Sequence, residues 1–140
     1  MSVQSVLLPV FVLVAMMFVL IAMTAVERTR VLKSGKTRIK DIALGEPNWP
    51  VRATQIANCM RNQFEVPVLF FALVAIALPL RQTDLVFVLL SWVFVITRLV
   101  HAGIFVTTNS VMKRGMAWLA GVLVLALMWV YVGGRLLLAL

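Results

Sequence analysis

Charge is what this sequence has least of. Only 13% of its 140 residues are charged and 63% are hydrophobic, against roughly 25% and about 45–50% in an ordinary soluble domain. That balance excludes a disordered chain, a nucleic-acid-binding domain and a conventional soluble enzyme. The net charge of +8 therefore sits on a chain too apolar to remain in water. A single cysteine, Cys59, excludes an intramolecular disulfide framework and a cysteine-based metal site. One histidine and five scattered acidic residues offer no metal-ligand set. No basic segment precedes the first apolar run, which is also too long for the core of a cleaved signal peptide. There is no internal repeat and no sign of a second domain.

What is present is a set of charge-free runs. Met1–Val26 and Gly115–Gly134 carry no charge, nor do Val66–Leu80 and Leu85–Thr97. A bilayer core of about 30 Å needs roughly 20 helical residues. The first and last runs are long enough alone; the middle two, of 15 and 13 residues, are not. They are separated by the polar hairpin Arg81-Gln82-Thr83-Asp84, so each must lengthen at its far end. The second span then takes in Glu65, Asn62 and Arg61, and the third takes in Arg98 and His101. Ionisable groups are costly at such depth and mark functional sites by default. The expectation is an all-α membrane protein, a single bundle of four transmembrane helices at about 5–28, 52–80, 84–106 and 112–138. Pro67 cannot donate to the carbonyl of Gln63, so a kink or a free acceptor is expected beside Glu65.

With four alternating spans, the loop near residues 27–57 and the one near 106–114 share a side and hold nine Lys/Arg. The opposite side holds two, Arg81 and Arg135. The positive-inside rule puts the basic loops in the cytoplasm and both termini outside. Most of these cations need no role beyond topology and contact with anionic headgroups. Gly35, Gly45, Pro47 and Pro50 punctuate the first basic loop. Trp118, Trp129 and Tyr131 suit interface anchoring.

On the second span Asn58, Arg61, Asn62 and Glu65 follow at i, i+3, i+4 and i+7, one helical face. On the third, Arg98, His101 and Phe105 follow at i, i+3 and i+7. The two helices run in opposite directions, so both clusters reach the basic end. Arg28 and Arg30 finish the first helix there, and Arg114 begins the fourth. A cation in the first turn of a helix opposes the macrodipole, and with the free backbone N–H groups it makes an anion site. Structural alternatives stay open: a headgroup-facing Arg114, an Arg61–Glu65 ion pair holding the second helix, and an interhelical hydrogen bond from His101. Asn62 needs a partner for its amide, from the third helix or from a ligand. Cys59 lies one residue off the polar face and is assigned to packing. Several arginines, one carboxylate and one amide beside an apolar wall suit a small polyanion with one amine, its reactive group turned toward lipid. An arginine near a thiol lowers its pKa from about 8.5 and supplies thiolate. Glutathione fits this description.

The segment Arg61-Asn62-Gln63-Phe64-Glu65-Val66-Pro67 resembles the Arg-Asn-x-x-Glu signature, followed by proline, of the MAPEG family, the membrane-associated proteins in eicosanoid and glutathione metabolism. Arg98-Leu99-Val100-His101 with the later Arg114 is similar to the motif of its microsomal prostaglandin E synthase and glutathione transferase branches. The resemblance covers nearly the whole chain. It implies a homotrimer that binds glutathione as co-substrate between subunits, near the cytoplasmic face. Arg61, Asn62 and Glu65 would hold the peptide, Arg28 or Arg30 would pack over it, and Arg98 and His101 would support it. Arg114 would be catalytic, stabilising the thiolate. The second substrate would be a lipophilic electrophile or lipid hydroperoxide reached from the bilayer.

Two positions depart from the family pattern: Asn58 stands where an arginine is common, and Phe105 where a tyrosine is common. The only tyrosine, Tyr131, lies at the other end. Two further functions compete with a glutathione-dependent transferase or peroxidase. One is a non-catalytic, lipid-binding or accessory subunit of a larger membrane complex, which the two departures favour. The other is a small proton-coupled exporter, which needs a carboxylate within the membrane; the first helix has none, and Glu65 lies near an edge.

Overall fold

The computed structural model describes residues 1–138, and these are helical apart from short connections. The chain forms α1 (Val3–Lys33), α2 (Val51–Asn62), α3 (Val66–Ala77), α4 (Leu85–Val106) and α5 (Val111–Leu138), with a short 3-10 turn at Ile39–Asp41. Four stretches are long and apolar enough to cross a membrane: α1, α2 with α3, α4 and α5. Ser2 begins α1 by accepting the Ser5 N–H at 3.2 Å, a side-chain cap on an orphan donor. At 31 residues, α1 is about 46 Å long, five residues longer than expected at its basic end.

The second span is not the single helix expected over 52–80. It is two helices meeting end to end at Gln63–Glu65, and the second of them stops at Ala77. Pro67 is at the start of α3, where its missing N–H costs nothing. The preceding turn tightens to i→i+3 bonds: Gln63 N–H to Met60 at 3.0 Å, Phe64 N–H to Arg61 at 2.9 Å and Glu65 N–H to Asn62 at 3.4 Å. The helix is thus interrupted for three residues beside Glu65, where the sequence placed the disturbance.

The main core lies in the half of the bundle away from the basic loops. Phe70, Leu73, Phe87, Phe94, Leu125 and Met128 are buried there, and the Phe70 and Phe94 rings stack 4.8 Å apart between centroids. A smaller cluster, Leu20, Cys59, Ala102 and Phe105, fills the basic half. Lone hydroxyls inside the bundle satisfy themselves along their own helices, as Thr24 does with the Leu20 carbonyl and Ser91 with that of Phe87, both at 2.8 Å. The two helices α4 and α5 pack tightly at Gly121, where a Cβ would come within 2.7 Å of the Thr97 hydroxyl. Only a residue without a side chain lets the backbones meet there.

Both ends of the bundle carry polar clusters. At the end holding the chain start, the Met1 ammonium donates to the Thr83 carbonyl at 3.2 Å. Asp84 there caps α4 by accepting the Phe87 N–H at 3.0 Å and takes hydrogen bonds from the Tyr131 hydroxyl and the Arg135 guanidinium. Burial pushes the Asp84 carboxyl up, but the Tyr131 and Phe87 donors and the charge of Arg135 outweigh it, leaving it below its ordinary value. Tyr131, expected as an interface anchor, is committed to this clasp. The opposite, basic end holds the 34–50 loop, tied by Arg38–Asp41 at 2.7 Å and by Thr37 Oγ1 to the Asn48 carbonyl at 2.8 Å. The hydrogen bond to Asp41, and then the charge of that carboxylate, raise the pKa of Arg38.

Candidate functional site

The polar residues of the second, third and fourth spans meet at the basic end around an open-sided cavity of about 580 Å³. Arg61, Asn62, Glu65, His101 and Arg114 all line it, with Asn58, Phe105 and Trp118. Its size lies within the range of about 300–1,000 Å³ usual for small-ligand sites.

Arg98 supports this layer from below. Its side chain is completely buried, and one terminal nitrogen donates to Asn62 Oδ1 at 2.7 Å and to Gln63 Oε1 at 3.1 Å. Its Nε and other terminal nitrogen have no partner. Asn62 passes the contact on, donating to Glu65 Oε2 at 3.0 Å. The amide that needed a partner therefore bridges a buried cation to a carboxylate across two helices. Gln63 was not singled out by the sequence, yet it is fully buried and donates to the Cys59 carbonyl at 3.0 Å. Its place beside Arg61, Asn62 and Glu65 gave no separate signal.

The Arg61–Glu65 ion pair is not formed. Arg61 donates to Asn58 Oδ1 instead, and the ion pairs among the described residues are elsewhere. The helix break at Gln63–Glu65 interrupts the turn that would join the two. Asn58, one of the two departures, thereby holds Arg61 in place.

Arg114 projects from the first turn of α5. Its guanidinium lies 3.9 Å over the Phe105 ring, and one nitrogen donates to Asn109 Oδ1. Asn109 has a left-handed backbone, φ 52°, a conformation asparagine tolerates. The second departure thus provides an aromatic face for Arg114. That contact is worth about 0.5–2 kcal/mol, comparable to the roughly 1.5–3 kcal/mol of a hydrogen bond to a charged group. The ring occupies only one face of the guanidinium, so both can be made at once. His101 Nδ1–H donates to the Arg114 carbonyl at 2.8 Å, the interhelical bond considered above. The carbonyl can only accept, so in the neutral ring the Nε2 lone pair is free, and it is buried without a partner.

Arg28 and Arg30 separate. Arg28 stacks on Trp49 at 4.7 Å and borders a neighbouring cavity of about 490 Å³ that shares Arg61 with the first. Arg30 points elsewhere, pairs with Glu27 at 3.1 Å and does not line the polar cavity within one chain. Cys59 is buried against the Ala102 carbonyl, as assigned. The end of α4 is held by Arg52 on the Val106 carbonyl and by Gln55 Nε2 on the Phe105 carbonyl at 2.6 Å, which satisfies acceptors left open at a helix C-terminus. Among the described residues no cluster of His, Cys, Asp or Glu could hold a metal ion.

The geometry defines a class: a helical membrane protein with four spans and a cation-rich polar pocket near one membrane surface. Residues 6–134 match the MAPEG family, and the chain belongs to it. It is thus a member of a family of membrane proteins of eicosanoid and glutathione metabolism. No curated protein and no solved structure matches the chain.

Proposed function

We propose that the chain binds glutathione in the polar cavity, holds its sulfur as the thiolate beside Arg114, and delivers it to a lipophilic substrate from the bilayer. The observation that carries this is the charge arrangement. Arg61, Arg114 and the buried Arg98 surround the cavity or lie beneath it, and among the described residues no carboxylate pairs with them; Glu65 faces it held only by Asn62. Glutathione brings two carboxylates for the arginines, an ammonium for Glu65 and a thiol.

Arg114 stabilises the thiolate by charge and by its remaining N–H groups. With an electrophilic carbon, the thiolate forms the C–S bond and the leaving group departs with its electron pair. With a hydroperoxide, the thiolate takes the terminal oxygen, the alkoxide leaves and is protonated, and a second glutathione converts the sulfenic acid to disulfide and water. Arg28 lies beside Arg61 and closes the cytoplasmic side. Arg98 and His101 are positioning residues. Of the two arginines that end α1, Arg28 takes the closing role, since Arg30 lies off the cavity and pairs with Glu27; the assembly is a homotrimer, as family membership implies. The nine-to-two distribution of Lys/Arg between the bundle ends supports a cytoplasmic site with both termini on the opposite side.

The test is a glutathione titration of the detergent-solubilised protein, wild type against Arg61→Ala, with thiolate ultraviolet absorbance followed in Arg114→Ala. Saturable binding weakened by the first change and thiolate absorbance lost with the second are expected. A folded oligomer that binds no glutathione overturns the proposal. A second reading, a non-catalytic binding subunit within a larger membrane complex, is favoured by one observation: beside Arg114 stands the Phe105 ring rather than a hydroxyl. Glutathione binding without thiolate absorbance or turnover decides for it.

A further inference from the structure

A second hollow lies between α1 and α4, lined by apolar side chains of both helices, with a volume of about 360 Å³. On α4 its residues Ala102 and Gly103 are set roughly a third of a turn from His101 and Phe105, which line the polar cavity. The two sites therefore open on different faces. At Gly103 an added Cβ would meet nothing within 4 Å.

The α1 wall follows a regular stripe. Met16, Val19, Met23, Val26, Arg30 and Lys33 recur at alternating spacings of three and four, one face of the helix. The first three line the apolar hollow; the last three line a further hollow of about 480 Å³ one turn along α1. The groove is thus apolar along its depth and cationic at its mouth. Arg52 adds a third cation there, since it caps the carbonyl of Val106, itself a groove residue. Arg30 and Lys33 are exposed, and Arg30 contacts only Glu27.

Two features choose the occupant, length and charge. From Val12 to Met23 the groove runs about 16 Å along α1 at 1.5 Å per residue, close to half of a hydrocarbon core of about 30 Å. It reaches from near the midplane to the basic end and spans one leaflet. The second is charge: the hollow of about 360 Å³ is lined by apolar side chains and the cations lie at one end, which suits a hydrocarbon chain with an anionic head and not a second copy of a chain of net charge +8.

We propose that this groove is a binding site for one acyl chain of an anionic phospholipid, whose phosphate rests on Arg30, Lys33 and Arg52. The site is independent of the glutathione reading: it shares no residue with the polar cavity, and its ligand is a resident lipid of the leaflet at the basic end.

The experiment uses the full chain, reconstituted in vesicles of equal phosphatidylglycerol and phosphatidylcholine and then released into mild detergent for native mass spectrometry. Wild type is expected to retain one phospholipid per chain, with phosphatidylglycerol favoured. Gly103→Leu fills the groove without a backbone clash and is expected to lose the bound lipid, whereas Gly133→Leu, at the far end of α5, keeps it. Arg30→Ala with Lys33→Ala is expected to retain lipid while preference for phosphatidylglycerol falls about fivefold per cation removed. Helicity and glutathione affinity unchanged in Gly103→Leu show that the fold stands. Lipid retention unaffected by Gly103→Leu overturns the proposal. So does a changed subunit number in that variant, which makes a second copy of the chain the occupant, and so does equal retention of both lipids by wild type.

Discussion

At one end of the bundle Asp84, Tyr131 and Arg135 satisfy one another, with the Phe87 N–H completing the carboxylate's partners. At the other, Arg98 is buried with two nitrogens unpartnered, His101 Nε2 has no partner, and Arg61 and Arg114 are held by neutral amides and a ring. Both clusters lie near a membrane surface, and both join separate spans. The difference is that the first pairs its charges directly, whereas in the second three arginines share one carboxylate, Glu65, which is reached only through Asn62. A cluster that is electrically complete stabilises the fold and asks for nothing further. One with surplus cations and donors at a cavity is suited to receive an anion, and the fold bears the cost of keeping it open.

The comparison can be broken most forcefully at Arg98. Arg98→Leu leaves the acceptor oxygens of Asn62 and Gln63 without their donor, and is expected to cost about 3 kcal/mol, read as a lowered unfolding midpoint. Glutathione affinity falls with it, because Asn62 no longer orients Glu65. Unchanged stability would make the basic end as self-contained as the other. Arg114→Ala comes next: thiolate absorbance disappears while helicity is kept, and melting falls by less than in Arg98→Leu, since the half-buried guanidinium gives up its contacts with Phe105 and Asn109 to water. Gly121→Leu tests how tightly the two regions are coupled. Its side chain meets Thr97 and the Arg98 Cδ, 2.7 and 3.7 Å from the new Cβ, and overpacking of this kind costs about 1–3 kcal/mol. The expected result is a melting shift with a smaller loss of glutathione affinity.

The smallest effect belongs to the closed end. The Asp84 carboxyl titrates below its ordinary value of 3.8, so its stabilisation is complete above that pH and is lost as pH falls through the folded value. Wild type is expected to lose stability in acid there. Asp84→Asn should remove that component of the pH dependence and leave glutathione affinity at neutral pH unaltered. A change in affinity would mean that the two ends communicate through α4.

Four spans were legible in the sequence because a bilayer demands length, and the runs too short to span named the residues that complete them. Arg61, Asn62, Glu65, His101 and Arg114 do line one cavity. What the helical spacing hid was the break before Pro67. A periodicity argument assumes a continuous helix, and from that assumption came the pair of Glu65 with Arg61; the cavity still takes in Glu65 beside Asn58, Arg61 and Asn62. Gln63 and Asn109 were passed over for the same kind of reason. Gln63 is buried by tertiary packing rather than by its place on a polar face, and Asn109 belongs to a turn whose left-handed backbone no periodicity marks. Phe105 and Asn58, read as losses against the family pattern, gained roles only when the arginines they contact were in view.

Arg98 carries one more consequence, in terms of ionic strength. Mobile salt screens charges at a surface within about 8–10 Å under ordinary conditions, but it cannot enter the packed interior around a fully buried side chain. The attraction that Arg98 exerts on an anion in the cavity therefore persists in strong salt, while that of the exposed Arg61 fades. One part of the site acts as a switchable electrostatic field and the other as a permanent one.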